Sequence, residues 1–138
     1  DEDGPVRALA VERFDRRALE TADGTPWLAR LLQEDFCQAT GTAPDRKYES
    51  DGGPSIARCL DILDRGANPA FDPLLFVLAT LAFWLLAATD GHAKNFSLFL
   101  RRDGHVLTPF YDVLSAWPII GHGAGRLPRQ KVKLAMAL

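Results

Sequence analysis

Asp90, Asn95 and Asp112 are the residues of this chain best placed to do chemistry, because they succeed one another in the order that phosphoryl transfer from a nucleotide requires. In the run Thr89-Asp90-Gly91-His92-Ala93-Lys94-Asn95 a carboxylate precedes an amide by five positions, and Tyr111-Asp112 puts a second carboxylate seventeen positions further on. The first carboxylate can orient an attacking hydroxyl, while the amide oxygen and the second carboxylate can hold magnesium against the phosphates. Singly, an Asp or Asn beside glycine is more often a turn former than a ligand. The joint spacing carries the signal.

The Asp-x-x-x-x-Asn interval is that of a kinase catalytic loop, and the segment leading to Asp112 supplies a geometric reason for the rest. Phe96 to Arg101 is rich in strand formers, Arg102-Asp103-Gly104-His105 follows, and Val106-Leu107-Thr108 resumes an extended pattern. Asp-Gly between two such runs predicts a hairpin with a type I′ turn. With Asp103 and Gly104 as the central pair, Asn95 falls opposite Asp112, and ideal partners lie roughly 4.5 to 5.5 Å apart at Cα. A slip of one residue keeps both at the open end of the hairpin. Magnesium suits such a pair, since it takes one or two protein oxygens together with substrate phosphates. Zinc would need His92, His105, His122, Cys37 or Cys59 at ligand spacing, and the chain has no C-x-x-C or H-x-x-x-H pair.

Further stretches point to a family. They are Val11 to Arg16 (VERFDR), Glu34 to Ala39 (EDFCQA), Lys47-Tyr48-Glu49, Asp51 to Ser55 (DGGPS), Thr89 to Asn95, Pro109 to Ser115 and Lys133 to Leu138. In these, spread in order over nearly the whole chain, it resembles the C-terminal kinase domain of the HipA family, the serine/threonine kinase toxins of bacterial toxin-antitoxin pairs. The resemblance implies ATP and magnesium as cofactors, with Asp90 as catalytic base and Asn95 and Asp112 as metal ligands. It further implies that Glu12, Arg13 and Phe14 form the hinge whose backbone meets the adenine. His92 stands two residues after the base, where many protein kinases carry lysine, which implies a phosphate or substrate contact. Lys94 is a further candidate for phosphate contact. Implied partners are a protein substrate and a helix-turn-helix antitoxin, in the cytoplasm.

Two departures stand out. Family members often have Asn two residues before the catalytic Asp, where this chain has Ala88. The Gly-rich loop and the strand lysine of a kinase precede the hinge, yet only ten residues without a lysine precede Val11. The chain therefore reads as a piece of a longer protein, with low activity expected of the piece alone.

The expected fold is mainly α with a short β-hairpin, a kinase-like C-terminal lobe. Residues 1–16 read as the last N-lobe strand and hinge, with Val6, Ala8 and Ala10 in the strand, and residues 17–138 as a helical C-lobe incomplete at both ends. Leu74 to Ala88 is apolar but for Thr80, shorter than the roughly 18 to 20 residues of a membrane span, and reads as a buried helix packed on several sides that delivers Asp90 from a rigid support. Thr25-Pro26 reads as the cap and first position of another helix, its stripe Leu28, Leu31, Leu32 and Phe36 running to Gly41. Lys47 to Pro54 is a polar loop in which Lys47 and Tyr48 are braces. Ser55 or Asp51 caps a helix with Ile56, Cys59, Leu60 and Leu63 on one face. Lys133 to Leu138 looks helical.

Composition limits the alternatives. With 138 residues, 47% hydrophobic and 25% charged, the chain can bury a core, and a net charge of −2 gives nothing that steers it toward nucleic acid or an anionic membrane. The cluster Arg126, Arg129, Lys131 and Lys133 reads as a solvated face. Cys37 and Cys59 read as core thiols, and Trp27, Trp84 and Trp117 as packing residues. His105 and His122 read as surface residues. Gly121 to Gly125 lacks the Gly-Lys-Ser/Thr ending of a P-loop and reads as a loop. Two other readings remain open, a small-molecule kinase of aminoglycoside or choline type and a non-catalytic module that binds an antitoxin.

Overall fold

The computed structural model describes residues 8–136, which fall into two units divided between Leu31 and Leu32. The N-terminal unit is an antiparallel hairpin of β1 (Arg16–Glu20) and β2 (Pro26–Arg30), with Ala18 facing Leu28 and Leu19 facing Trp27. Its turn is built by polar side chains. Asp23 and Thr21 both accept from the Thr25 amide, and Gly24 takes a left-handed φ of 83°. Asp15 closes the base of this unit, accepting both prongs of the Arg13 guanidinium at 2.8 and 2.7 Å, which holds its carboxyl down at about 2.

This hairpin overturns the helix expected from Thr25 to Gly41. The residue before proline is pushed toward extended backbone, so Thr25-Pro26 opens a strand here and not a helix. Leu28 lies in β2, and Leu31 and Leu32 lie in the link between β2 and the next strand. The true helix start lies ten residues later, where Asp35 and Gln38 form a reciprocal capping box for α1 (Phe36–Ala39). Val6 lies outside the described residues, and Ala8 and Ala10 belong to no regular element.

The second unit combines a sheet with two longer helices. Its three strands, β3 (Gln33–Asp35), β4 (Ser97–Arg101) and β5 (Gly104–Leu107), pair antiparallel in that order. Helix α2 (Ile56–Leu63) starts where expected, with Ser55 Oγ accepting from the Arg58 amide, and buries Cys59 and Leu63. Helix α3 (Asp72–Leu85) carries Pro73 in its first turn. With three α-helices and two small sheets among the described residues, the architecture is mixed and not mainly α.

Helix α3 buries one face and exposes the other. Asp72, Phe76, Ala79, Thr80 and Phe83, spaced at helical intervals, are buried, whereas Leu74, Leu78, Leu81 and Leu85 are exposed, so the expectation of burial on several sides fails. Its buried phenylalanines meet Phe36 at the start of α1 and Phe96 just before β4. Phe76 lies edge-on to Phe36 and Phe96 at 5.5 and 4.9 Å between centroids, and Phe83 stacks on Phe96 at 5.1 Å. Such pairs contribute about 0.5 to 1.5 kcal/mol each beyond burial. The buried Asp72 carboxylate accepts from the Leu107 amide at 2.8 Å, fixing the start of α3 to β5. Trp27, Trp84 and Trp117 are each about half exposed and not core residues. Lys133 to Met136 is irregular where a helix was expected, and Ala137 and Leu138 lie outside the described residues. No helix among the described residues is long and apolar enough to cross a membrane.

Candidate active site

The loop after α3 turns back on the helix that carries it. Ala87 takes a left-handed φ of 50°, the Ala88 amide donates to the Phe83 carbonyl at 2.8 Å, and the Gly91 amide donates to the Ala88 carbonyl at 3.1 Å. Gly91 lies so tightly on Phe83 that a Cβ there would come within 2.1 Å of the ring. The chain thereby splits its polar residues between two directions. The Asp90 side chain is 63% exposed, whereas that of His92, two positions on, is 7% exposed.

Three side chains converge on one oxygen of Asp90. Oδ1 accepts from the Tyr48 hydroxyl at 2.7 Å, with Lys47 Nζ at 3.8 Å and His92 Nε2 at 3.5 Å. Oδ2 has no partner among the described residues. The Tyr48 hydrogen bond, with the charges nearby, holds the Asp90 carboxyl below the usual carboxylate range, and the same bond pushes the Tyr48 phenol up. Burial, aided by Lys47, pushes the His92 imidazole below its ordinary value, with Asp90 acting in the opposite sense. Tyr48 also stands edge-on to His92 at 5.4 Å between centroids, and Lys47 Nζ lies 5.1 Å from the Tyr48 ring centroid. The Lys47-Tyr48 loop is itself anchored where the Glu49 amide donates to the Ala135 carbonyl at 3.1 Å.

Asn95 ends a 3₁₀ turn, Ala93–Asn95, that leads into β4. Only 2% exposed, it accepts the His92 amide on Oδ1 at 3.0 Å and donates Nδ2 to Asp112 Oδ2 at 2.8 Å. The expected meeting of Asn95 and Asp112 is therefore present, but the expected hairpin register does not produce it. Leu98 pairs with Leu107 and Arg101 with Gly104, so the turn residues are Arg102 and Asp103, neither with positive φ, and Gly104 follows at φ 130°. That is not a type I′ turn. The ladder would set Asn95 against Phe110. Asp112 arrives instead because its own backbone turns left-handed at φ 56°, and because Tyr111 is tied to the Ser97 hydroxyl and the Lys94 carbonyl.

Hard oxygens from an amide and a carboxylate are the donor set that suits magnesium. Asn95 Oδ1 keeps a second lone pair, and among the described residues no lysine or arginine pairs with Asp112. The donor types suit the ion, while the amide as placed turns Nδ2, not Oδ1, toward Asp112. Lys94 is engaged elsewhere, its ammonium 3.6 Å from Asp35 Oδ2, the carboxylate that also caps α1. Glu12 and Arg13 are exposed and Phe14 is half-buried in the N-terminal unit, where the Arg13 fork is committed to Asp15.

Sequence reasoning assigned Lys47 and Tyr48 to loop bracing, but both contact Asp90. No spacing rule links residues 42 positions apart. The available signals were the family stretch Lys47-Tyr48-Glu49 and its chemistry, a cation and a phenol adjacent in a polar loop. His105, expected at the surface, is half-buried with Nε2 2.8 Å from the Ile62 carbonyl.

The family described as the HipA-like C-terminal domain matches residues 1–138. A Sinorhizobium fredii protein named "Putative kinase Y4mE" is 43% identical over 108 residues, covering 78% of this chain and 25% of that protein. A Shewanella oneidensis "Serine/threonine-protein kinase toxin HipA" is 33% identical over 129 residues, covering 81% and 28% respectively. A solved structure of the "Shewanella oneidensis MR-1 Toxin Antitoxin System HipA, HipB and its operator DNA complex" superposes with a TM-score of 0.74 at 28% identity, over 91% of this chain and 30% of that one. The chain thus spans under a third of the length of these relatives.

Proposed function

This chain belongs to the HipA-like C-terminal domain family, and from that membership we propose that it supplies the catalytic loop and metal-binding face of a serine/threonine protein kinase that moves the γ-phosphoryl group of ATP to a protein hydroxyl. The observation that carries this reading is the arrangement at Asp90. One carboxylate oxygen is occupied by Tyr48, Lys47 and His92, and the other is open in an exposed side chain.

Asp90 Oδ2 accepts the hydrogen bond of the acceptor hydroxyl and aims its oxygen at the γ-phosphorus. The new bond forms between that oxygen and phosphorus, the bond from phosphorus to the β,γ-bridging oxygen breaks, ADP leaves with the electron pair, and the hydroxyl proton passes to Asp90. Because such transition states are loose, orientation and charge placement matter more than a strong base. A carboxyl held below its usual range by Tyr48 is compatible with that role. Asn95 and Asp112 would hold magnesium, which when bound neutralises charge on the β- and γ-phosphates. The buried Asn95, fixed at both ends of its amide, sets where Asp112 sits.

Glu12 to Phe14 are proposed as the backbone that meets adenine, and the parent protein as the toxin of a toxin-antitoxin pair whose partner is a helix-turn-helix antitoxin. The HipA relative's presence in a complex with HipB and operator DNA supports that assignment. The decisive experiment measures labelled phosphate transfer to protein by the full-length parent and its Asp90→Asn variant. Transfer lost in the variant, with Mg-ATP still bound, is the expected result; transfer retained would end the kinase reading.

A further inference from the structure

Three basic side chains lie in or beside the Asp90 loop, and the structure treats them differently. His92 holds the position two after Asp90, but its ring is buried, with Nδ1 sealed from solvent and without a partner among the described residues. Its other nitrogen, Nε2, faces Asp90 Oδ1 at 3.5 Å. Lys94 is drawn to Asp35, beside the start of α1. Lys47 comes from a loop more than forty residues earlier, and its ammonium stands 3.8 Å from Asp90 Oδ1 with the side chain still 32% exposed. The Tyr48 ring beneath it, 5.1 Å from Nζ, restricts where it can go.

We infer that Lys47, and not His92 or Lys94, supplies the positive charge that meets the phosphoryl group in transit between ATP and the acceptor hydroxyl. The inference rests on the kinase reading above. A transferring phosphoryl group spreads negative charge over its three equatorial oxygens, and a fixed ammonium beside the base is where that charge develops. Lys47 gives up no proton in the step. It interacts with a non-bridging oxygen, while Tyr48 keeps it from collapsing fully onto Asp90. The 3.8 Å separation is longer than a hydrogen bond, so the ammonium retains donors to direct outward.

The test uses the full-length parent with Lys47→Met and Lys47→Arg. Phosphate transfer is measured alongside equilibrium binding of Mg-ADP and of the magnesium complex of β,γ-imido-ATP. Lys47→Met is expected to lower kcat about 100-fold, the scale for losing one donor aimed at developing charge. It should weaken the imido-ATP complex and leave ADP binding unchanged, and Lys47→Arg should recover most of the rate. Wild-type turnover in Lys47→Met, or an equal loss of both nucleotides, would overturn the role of Lys47 while leaving the kinase reading intact. A parent that binds neither nucleotide would overturn both.

Discussion

Replacing Tyr48 with phenylalanine removes a single oxygen from the candidate site and leaves the ring. The ring keeps its edge-on contact with His92 and its place under Lys47, so the variant is expected to fold. What is lost is the 2.7 Å hydrogen bond from the phenol to Asp90 Oδ1. A neutral donor to a charged acceptor contributes about 1.5 to 3 kcal/mol when shielded. Because the Asp90 side chain is 63% exposed, solvent screening brings this to about 1 kcal/mol, or roughly fivefold in an equilibrium or rate constant. That bond is also the chief reason the Asp90 carboxyl titrates low. Its removal raises the native pKa toward the ordinary range, so the acidic limb of the kcat profile should move to higher pH. The sign for stability follows. A depressed carboxyl contributes stability that is present above its unfolded pKa and lost as pH falls through the native value, so the variant should be less stable near neutrality and equal to wild type at strongly acid pH. Phosphate transfer by the full-length parent across pH, with chemical unfolding at two pH values, reads all three effects. An unchanged acidic limb in Tyr48→Phe, with Asp90→Asn inactive, would refute the claim that Tyr48 tunes the base.

Gly91→Ala should be severe, since the new methyl would stand 2.1 Å from the Phe83 ring. Overpacking of this kind costs about 1 to 3 kcal/mol, and denaturant midpoints should fall accordingly, with the Asp90 loop displaced; a midpoint equal to wild type would mean that the loop does not rest on α3. Cys37 and Cys59 are buried and free, and burial pushes the Cys59 thiol up to about 12 and raises that of Cys37. Neither should react with iodoacetamide at pH 8 until denaturant is added, because the thiolate is the reactive form, and rapid labelling of the native protein would contradict that burial.

Local signals in the sequence were reliable where one residue type has one strong physical use. Ser55 caps α2, and the cysteines go to the core. Helical spacing failed between Pro26 and Asp35, where Leu28 lies in a strand and Leu31 and Leu32 in the link to the next, and strand pairing outweighed a propensity of a few tenths of a kcal/mol per residue. The apolar run that became α3 announced a helix but not its environment. Hydrophobicity on all sides says what a surface would prefer, not whether anything covers it.

The candidate site divides in the same way. The order Asp90, Asn95, Asp112 and the family motifs around it are written in the chain, because catalytic spacing within one loop and one hairpin is a local property. The partners of Asp90 are not. Tyr48 and Lys47 reach it from the loop before α2, which is pinned at Ala135 by a contact spanning more than eighty residues. Asn95 and Asp112 meet through a left-handed residue and the Tyr111 hydroxyl, not through the hairpin register. Sequence thus determined which groups could act, since composition and spacing are one-dimensional. Tertiary structure decided which of them stay exposed, charged and close enough to act together, because burial and distance exist only once distant segments have packed.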